Sequence, residues 1–494
     1  MTNFFRLATL AGLLALAHGA RAQAPTFAPT VNYSSGGTVP SRIVAVDVNG
    51  DGKKDMLTGN WFTGTVGVLL NTGNGTFAPA VTYAAGSGAA TYGFAVADVN
   101  SDGKPDVLVT NDPSSTGNNI GVLLGNGDGT FQAAAFYSTT TAPYSMVAAD
   151  VNHDGKLDII TSSNTFTNTV GVLLGNGNGA FQATTTYYAG GSSNLSNIYT
   201  SKIAAVDING DNNLDLVTTT SDSPTVGVLM GNGNGTFQAV VFYASGGSNP
   251  GDMAMADVNG DSKPDLLIAD LASRAIYVSL GNGNGTFQSP VAYVMSGDVG
   301  QLEVADVNGD GKLDLLTPSS TSITSSTPML SILLGNGNGS FQPPTFYNIG
   351  NSPSVITAVD VNGDGKLDLL TANYFGRVSY NFANNISVLL NATPLATRTA
   401  LPGATATLSP NPATTAATLS LAGLPAAVAQ VQATLLDATG CAVARHTLAA
   451  AQGSARTELP TAALAAGLYV LRLEALDAQG QLAGSLPAQR LSIR

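Results

Sequence analysis

A nine-residue string, Asp-x-Asn-x-Asp-x-x-x-Asp, recurs seven times, starting at Asp47, Asp98, Asp150, Asp207, Asp257, Asp306 and Asp360. Its oxygen-bearing side chains at positions 1, 3, 5 and 9 match the way a short loop wraps a hard cation, and calcium is the expected ion. In the first loop the expected ligands are Asp47, Asn49, Asp51 and Asp55, with the Lys53 backbone carbonyl as a fifth. The next three loops offer Asp98, Asn100, Asp102 and Asp106; Asp150, Asn152, Asp154 and Asp158; and Asp207, Asn209, Asp211 and Asp215. The last three offer Asp257, Asn259, Asp261 and Asp265; Asp306, Asn308, Asp310 and Asp314; and Asp360, Asn362, Asp364 and Asp368. No Glu stands at position 12 and strand-forming residues follow, so these are not EF-hands. Gly at position 6, such as Gly52, permits the sharp bend. Asn212 tolerates that conformation in the fourth loop, whereas Ser262 is expected to weaken the fifth. The bland alternative is a set of Asx-turns held by their own side chains.

About seven ions are expected, and their role reads as structural. At ten times Kd one site stabilises the fold by about 1.4 kcal/mol, so seven independent sites approach roughly 10 kcal/mol. That equals the stability of an ordinary domain. The formal charge of −13 fits the same picture, because the loops hold 21 Asp residues. Without the leader the charge is −15, and seven divalent ions would bring it to about −1. A basic partner is then unnecessary, and nucleic acid is excluded as a target.

Those loops must be positioned by short strands. Each unit of about 50 residues, a period typical of propellers and solenoids, places one strand before the Asp loop (Ile356–Val359) and one after it (Leu367–Thr371). A third strand ends in Leu-Leu-Gly (Ile332–Gly335), and a Gly-Asn-Gly turn leads to a fourth (Phe341–Tyr347). Gly and Asn accept positive φ, so Gly125–Gly129 reads as a hairpin turn. It lacks the following helix that a nucleotide loop needs. Four strands repeated seven times predict an all-β fold, a seven-bladed β-propeller followed by a small C-terminal β-sandwich. The seventh unit lacks its fourth strand while Thr26–Tyr33 precedes the first loop, so the N-terminal strand is expected to close the ring. An open solenoid is the alternative.

Residues such as Ala256-Asp257-Val258-Asn259-Gly260-Asp261 followed by Pro264-Asp265-Leu266-Leu267 resemble the FG-GAP or VCBS repeats of secreted bacterial proteins, related to the calcium-bearing blades of integrin α-subunits. The resemblance covers roughly residues 26–391 and implies the fold without fixing an activity.

The N-terminus has Arg6, an apolar run over Leu10–Leu16 and Ala20-Arg21-Ala22, the pattern of a secretory leader spanning residues 1–22. The run is too short for a membrane anchor, and no transmembrane segment is expected. The single Cys441 rules out a disulfide framework. Residues 23–391 form the expected propeller, 392–407 a Thr/Pro/Ala-rich linker, and 408–494 a second domain. In that domain Leu408-Ser409-Pro410-Asn411-Pro412, Leu435–Gly440, Leu464–Leu473 and the terminal Gln489–Arg494 resemble the C-terminal sorting domain of type IX secretion cargo in Bacteroidota. That resemblance implies handling by the outer-membrane export machinery and a cell-surface or secreted destination. An Ig-like adhesive module is the alternative.

Catalytic side chains are scarce. The mature propeller has one His, His153, read as a solvated loop residue, and one Glu, Glu303, read as a structural partner in the central channel. No nucleophile elbow or zinc spacing appears. The expectation is therefore a monomeric, non-enzymatic binder of a glycan or protein, with a polysaccharide-degrading enzyme or a purely structural protein as rivals. Strand alternation puts the Asp loops and Gly-rich turns on one face. The other collects Trp61, Phe62, Tyr92, Tyr144, Phe166, Tyr199, Tyr374, Phe375 and Tyr380, with Arg274 and Arg377, in a setting suited to sugar rings or a partner's loop.

Overall fold

The computed structural model describes residues 24–86, 91–111, 119–139, 142–163, 168–190, 200–221, 223–320, 328–349, 353–373, 384–393, 401, 403–436, 442–461, 464, 467–477 and 482–493. The chain forms two compact units, Met1–Thr393 and Pro394–Arg494. Among the described residues all regular structure is β, and no helix is long and apolar enough to cross a membrane.

In the first unit each Asp loop belongs to one antiparallel sheet, numbered here by loop. Sheet one runs Pro40–Val46, Asp55–Asn60, Thr65–Leu69 and Val81–Ala84. Sheets two to five repeat this order of four strands. In sheet six the first strand is broken into Asp298–Val299 and Glu303–Ala305. Sheet seven contains Pro353–Val359, Asp368–Asn373 and Asn385–Leu389, and its fourth strand is Val31–Ser34 from the other end of the unit. Asn32 pairs with Ser387, and Phe27 bridges Asn391.

Second strands such as Asp55–Asn60 are buried throughout, whereas fourth strands such as Val81–Ala84 are mostly exposed. The apolar cores accordingly lie between neighbouring sheets. Val48, Leu57, Val66 and Val68 pack with Val107, Val109 and Leu123 of sheet two. Ile43, Met56 and Leu69 pack with Leu370, Ile386 and Val388 of sheet seven. Burying a side chain of this size contributes roughly 1.5–3 kcal/mol.

Two expected spans need correction. The fourth strand does not run unbroken over Phe341–Tyr347: Phe341 makes one bridge to Gly335, and the strand proper is Thr345–Asn348. The same break follows Phe131, Phe181 and Phe237, where no Pro stands, so it belongs to the turn and not to Pro343 and Pro344. The third strand of sheet six is Pro328–Leu333 and stops before Gly335, where the chain turns.

Two contacts recur at the sheet joints. The Gly-rich turn of one sheet donates to the second residue of the preceding Asp loop, as in Gly129 N to Val48 O (3.0 Å) and Gly179 N to Val99 O (3.1 Å). At the remaining two joints a side chain takes over: Asn391 Nδ2 donates to Val307 O (2.9 Å) and Asn71 Nδ2 to Val361 O (2.8 Å). A Tyr of one fourth strand also meets the Phe after the next turn edge-on. Tyr83–Phe131, Tyr33–Phe77 and Phe27–Tyr347 have ring centroids 5.4–5.5 Å apart. Such pairs are worth about 0.5–1.5 kcal/mol beyond burial.

The second unit packs Thr405–Ser409, Ala416–Ala422 and Ser454–Pro460 in one sheet. Ala442–Ala449, Gln430–Leu436, Gly467–Leu476 and Leu482–Ile493 form another. Their shared core includes Leu419, Leu421, Leu435, Leu471 and Leu491.

Candidate metal loops and the opposite face

Each Asp loop is organised by its own carboxylates. Asp47 Oδ1 accepts Gly50 N (2.7 Å) and Oδ2 accepts Gly52 N (2.8 Å). Asn49 Oδ1 accepts Asp51 N (3.0 Å), and Asp51 Oδ1 accepts Lys53 N (2.9 Å). The other loops repeat the pattern, as at Asp360 and Asp364. Positions 4 and 6 both take left-handed backbone, Gly50 at φ 75° and Gly52 at 82°. The demand at position 4 escaped the sequence reading, although five loops place Gly there. Ser101 and His153 adopt it at φ 61° and 60°, and Asn212 and Ser262 adopt the position-6 equivalent at 66° and 65°.

The ninth carboxylate has a second task. Asp55 is fully buried, and its two oxygens accept Val48 N (3.0 Å) and Asn71 N (2.7 Å), tying the loop to the Gly-rich turn. Asp106, Asp158, Asp215 and Asp265 do the same. Burial outweighs these donors and raises the acid's pKa, to about 7 for Asp314 and about 6 for Asp368.

Among the described residues no three Asp, Glu, His or Cys side chains form a metal-holding group. A cation here would therefore draw on the Asn oxygen and a backbone carbonyl as well as carboxylates. Such an all-oxygen set fits calcium in kind. Lys53 Nζ lies 2.8 Å from Asp51 Oδ2, and its ammonium holds the Asp51 carboxyl below the usual range. Related pairs occur at Lys104, Lys156, Lys263 and Lys366. The fourth loop has Asn213 at that position, and its Oδ1 lies 3.1 Å from His153 Nε2. His153 is exposed and links the third and fourth loops.

At the strand ends away from the loops, four expected aromatics come together. Trp61 follows Asp55–Asn60, while Tyr92 and Tyr144 start the first strands of sheets two and three. Trp61 and Tyr92 have centroids 6.0 Å apart, Tyr92 and Tyr144 4.8 Å, and Trp61 and Phe62 6.4 Å. The first three are half-buried, and Phe62 is 55% exposed. Trp61 N donates to Val39 O (2.9 Å), and Val39 is buried at φ 60°. A β-branched residue there is a true backbone outlier, of the kind that clusters at functional sites. Arg274 pairs with Asp298 at 3.1 Å. Phe166, Tyr199, Tyr374, Phe375, Arg377, Tyr380 and Cys441, together with the leader, lie outside the described residues.

Glu303, in the broken first strand of sheet six, reaches the neighbouring first strand of sheet seven. Its Oε1 accepts Ala358 N (3.2 Å) and Thr357 Oγ1 (3.4 Å). Burial raises its pKa to about 7 against the pull of the Ala358 N–H and Lys202.

The structure is similar in fold to several solved proteins. A lectin of Agrocybe aegerita, described as recognising non-reducing terminal N-acetylglucosamine, is 20% identical over 66% of this chain and 90% of its own, with a TM-score of 0.44. The periplasmic gluconolactonase of Pseudomonas aeruginosa is 13% identical over 91% and 96%, with a TM-score of 0.45. The biofilm matrix protein Bap1 of V. cholerae is 14% identical over 96% and 62%, with a TM-score of 0.35. No curated protein matches the sequence. The secretion system C-terminal sorting domain matches residues 407–481 and marks the chain for export by type IX secretion to the cell surface or beyond, in Bacteroidota-type bacteria. The FG-GAP-like repeat matches residues 47–109, 102–161, 207–268, 257–317 and 322–371, more than half of the sequence, and with its Asp loops this chain belongs to that repeat family.

Proposed function

We propose that the exported chain is a calcium-stabilised, seven-bladed propeller that acts as a monomeric, non-catalytic binder of a glycan or protein. Its binding surface is the face opposite the Asp loops. The observation that carries this reading is the continuity of Trp61, Tyr92 and Tyr144 with the exposed Phe62. Aromatic faces at strand ends offer large contact area at low entropic cost.

Ring closure is supported by the order of the joints. First strands neighbour one another in sequence order, and Pro40–Val46 also lies against Pro353–Val359. The Asn71–Val361 bond and the Tyr33–Phe77 pair join sheet seven to sheet one. For calcium, the support is the all-oxygen loop chemistry repeated at each sheet. Bound calcium would neutralise the loop carboxylates, while Asp47, Asn49 and Asp51 hold it and Asp55 anchors the loop to the turn.

The test is capture of ligands from a glycan array and from partner-cell surface extracts by wild type, Trp61→Ala and Tyr144→Ala. Loss of binding in both variants with unchanged melting temperature is expected. Undiminished binding would move the site elsewhere.

A further inference from the structure

The first strands depart from a regular ladder at one shared place. The register slips between Pro40 and Arg42 in sheet one, Thr200 and Lys202 in sheet four, and Pro250 and Asp252 in sheet five. Sheets two, three and seven slip at the equivalent position, and sheet six is broken there. A β-bulge leaves a residue out of the ladder and re-aims side chains. In sheets two and three the backbone there is pinned by a hydroxyl of the second strand. Gly93 N donates to Thr110 Oγ1 (2.6 Å) and Ser145 N to Ser162 Oγ (2.9 Å).

The bulges divide into two arcs. Sheets one to three carry Trp61, Tyr92 and Tyr144 at this end. The first strands of sheets four and five, next in order, carry an ion pair, Lys202 Nζ to Asp252 Oδ1 at 2.9 Å. Asp252 is fixed from behind, since its Oδ2 accepts Leu302 N (3.0 Å) from sheet six. The Asp252 side chain is 9% exposed and that of Lys202 29%, so the ammonium is the accessible partner. Burying a charge pair carries a desolvation penalty. Equivalent positions elsewhere are Arg42, Gly93, Ser145, Gln301 and Val355; of these only Arg42 is charged, and its Nη1 donates to Ser41 O (2.8 Å).

We infer that the aromatic arc and the Lys202–Asp252 pair form one site for a neutral, hydroxyl-rich pyranose chain. This deepens the binding-face reading above and rests on it. A pyranose presents a C–H face to stacked rings and a rim of hydroxyls to polar groups. An ammonium has three donors. One is held by Asp252, leaving two for neighbouring hydroxyls. The pair is already neutral, so a uronate or sulfate would find no uncompensated cation at this joint.

Trp61 is the only Trp in the chain, so tryptophan emission reads this face alone. The full-length mature protein is titrated with xylohexaose, cellohexaose and chitohexaose as neutral probes, and with polygalacturonate and heparin as anionic ones. At least one neutral probe is expected to shift the emission saturably, with no response to the polyanions. Lys202→Met and Tyr92→Ala are each expected to weaken that binding about tenfold or more, while Lys202→Arg retains most of it. Equal melting temperatures confirm that the variants fold. Binding of polyanions alone, or wild-type affinity in Lys202→Met, overturns the assignment and leaves the binding face standing. Failure of all glycans while a protein ligand is captured by wild type and lost in Trp61→Ala also overturns it. Capture that survives in Trp61→Ala defeats the binding-face reading itself.

Discussion

Asn71 Nδ2 donates to the Val361 carbonyl over 2.8 Å, joining the turn of the first repeat to the Asp loop of the last, 290 residues away. The same amide also donates to Lys54 O (2.9 Å), and Asn71 is 3% exposed. Asn71→Ala would leave two carbonyls without this donor in a buried setting. A loss of about 1–3 kcal/mol is expected, read as a lower thermal or urea midpoint. An unchanged midpoint would mean that this joint carries no stability.

Left-handed backbone at two loop positions makes a second expectation. Ser262 occupies φ 65° where five other loops have Gly, and non-Gly residues bear about 1–2 kcal/mol there. Part of that gain is offset by the entropy of the freer glycine. Ser262→Gly should therefore raise stability by about 0.5–1 kcal/mol. Gly52→Ala should lower it by about 1–2 kcal/mol, with strain confined to the backbone, since a Cβ there meets no atom within 4 Å. Paired melts of the two variants check the sign.

Glu303 gives a pH dependence. Its folded pKa is raised, mainly by burial, from the usual 4.5 to about 7. Its contribution to stability is thus fully present below about 4.5 and is lost as pH rises through about 7. Glu303→Gln should remove that component, flattening the midpoint-against-pH curve between these limits. A curve with the same slope in both proteins would assign the dependence to other groups.

Chelation tests the cation. With millimolar calcium replaced by EDTA, the first unit is expected to melt many degrees lower, because each site at ten times Kd adds about 1.4 kcal/mol. Calorimetric titration of the chelated protein should then approach seven ions. A melt indifferent to EDTA would leave the loops as hydrogen-bonded turns alone.

Much of the fold could be read before any coordinates, because the period is carried by residues with strong local demands. Asp at loop position 9 opens the second strand, as in Asp55–Asn60, and Gly-Asn-Gly marks the hairpin turn. The break after Phe341 was illegible in the strand pattern because no residue type marks it: the same break follows Phe131, Phe181 and Phe237 without any Pro. The Tyr83–Phe131 type of pair was also missed, since it joins residues of different repeats and no local rule relates them. On the opposite face, the types of Trp61, Tyr92 and Tyr144 were visible, but their contact was not. The bulge that sets apart Lys202 and Asp252 leaves no mark in an alternating pattern, because it displaces one residue without changing polarity.

The pairing of Val31–Ser34 with Asn385–Leu389 has a temporal consequence. A strand made among the first has no partner until the seventh repeat has emerged, and Asn32 must wait for Ser387, 355 positions later. For a chain delivered through a membrane from its amino end, the final sheet can be completed only on the far side.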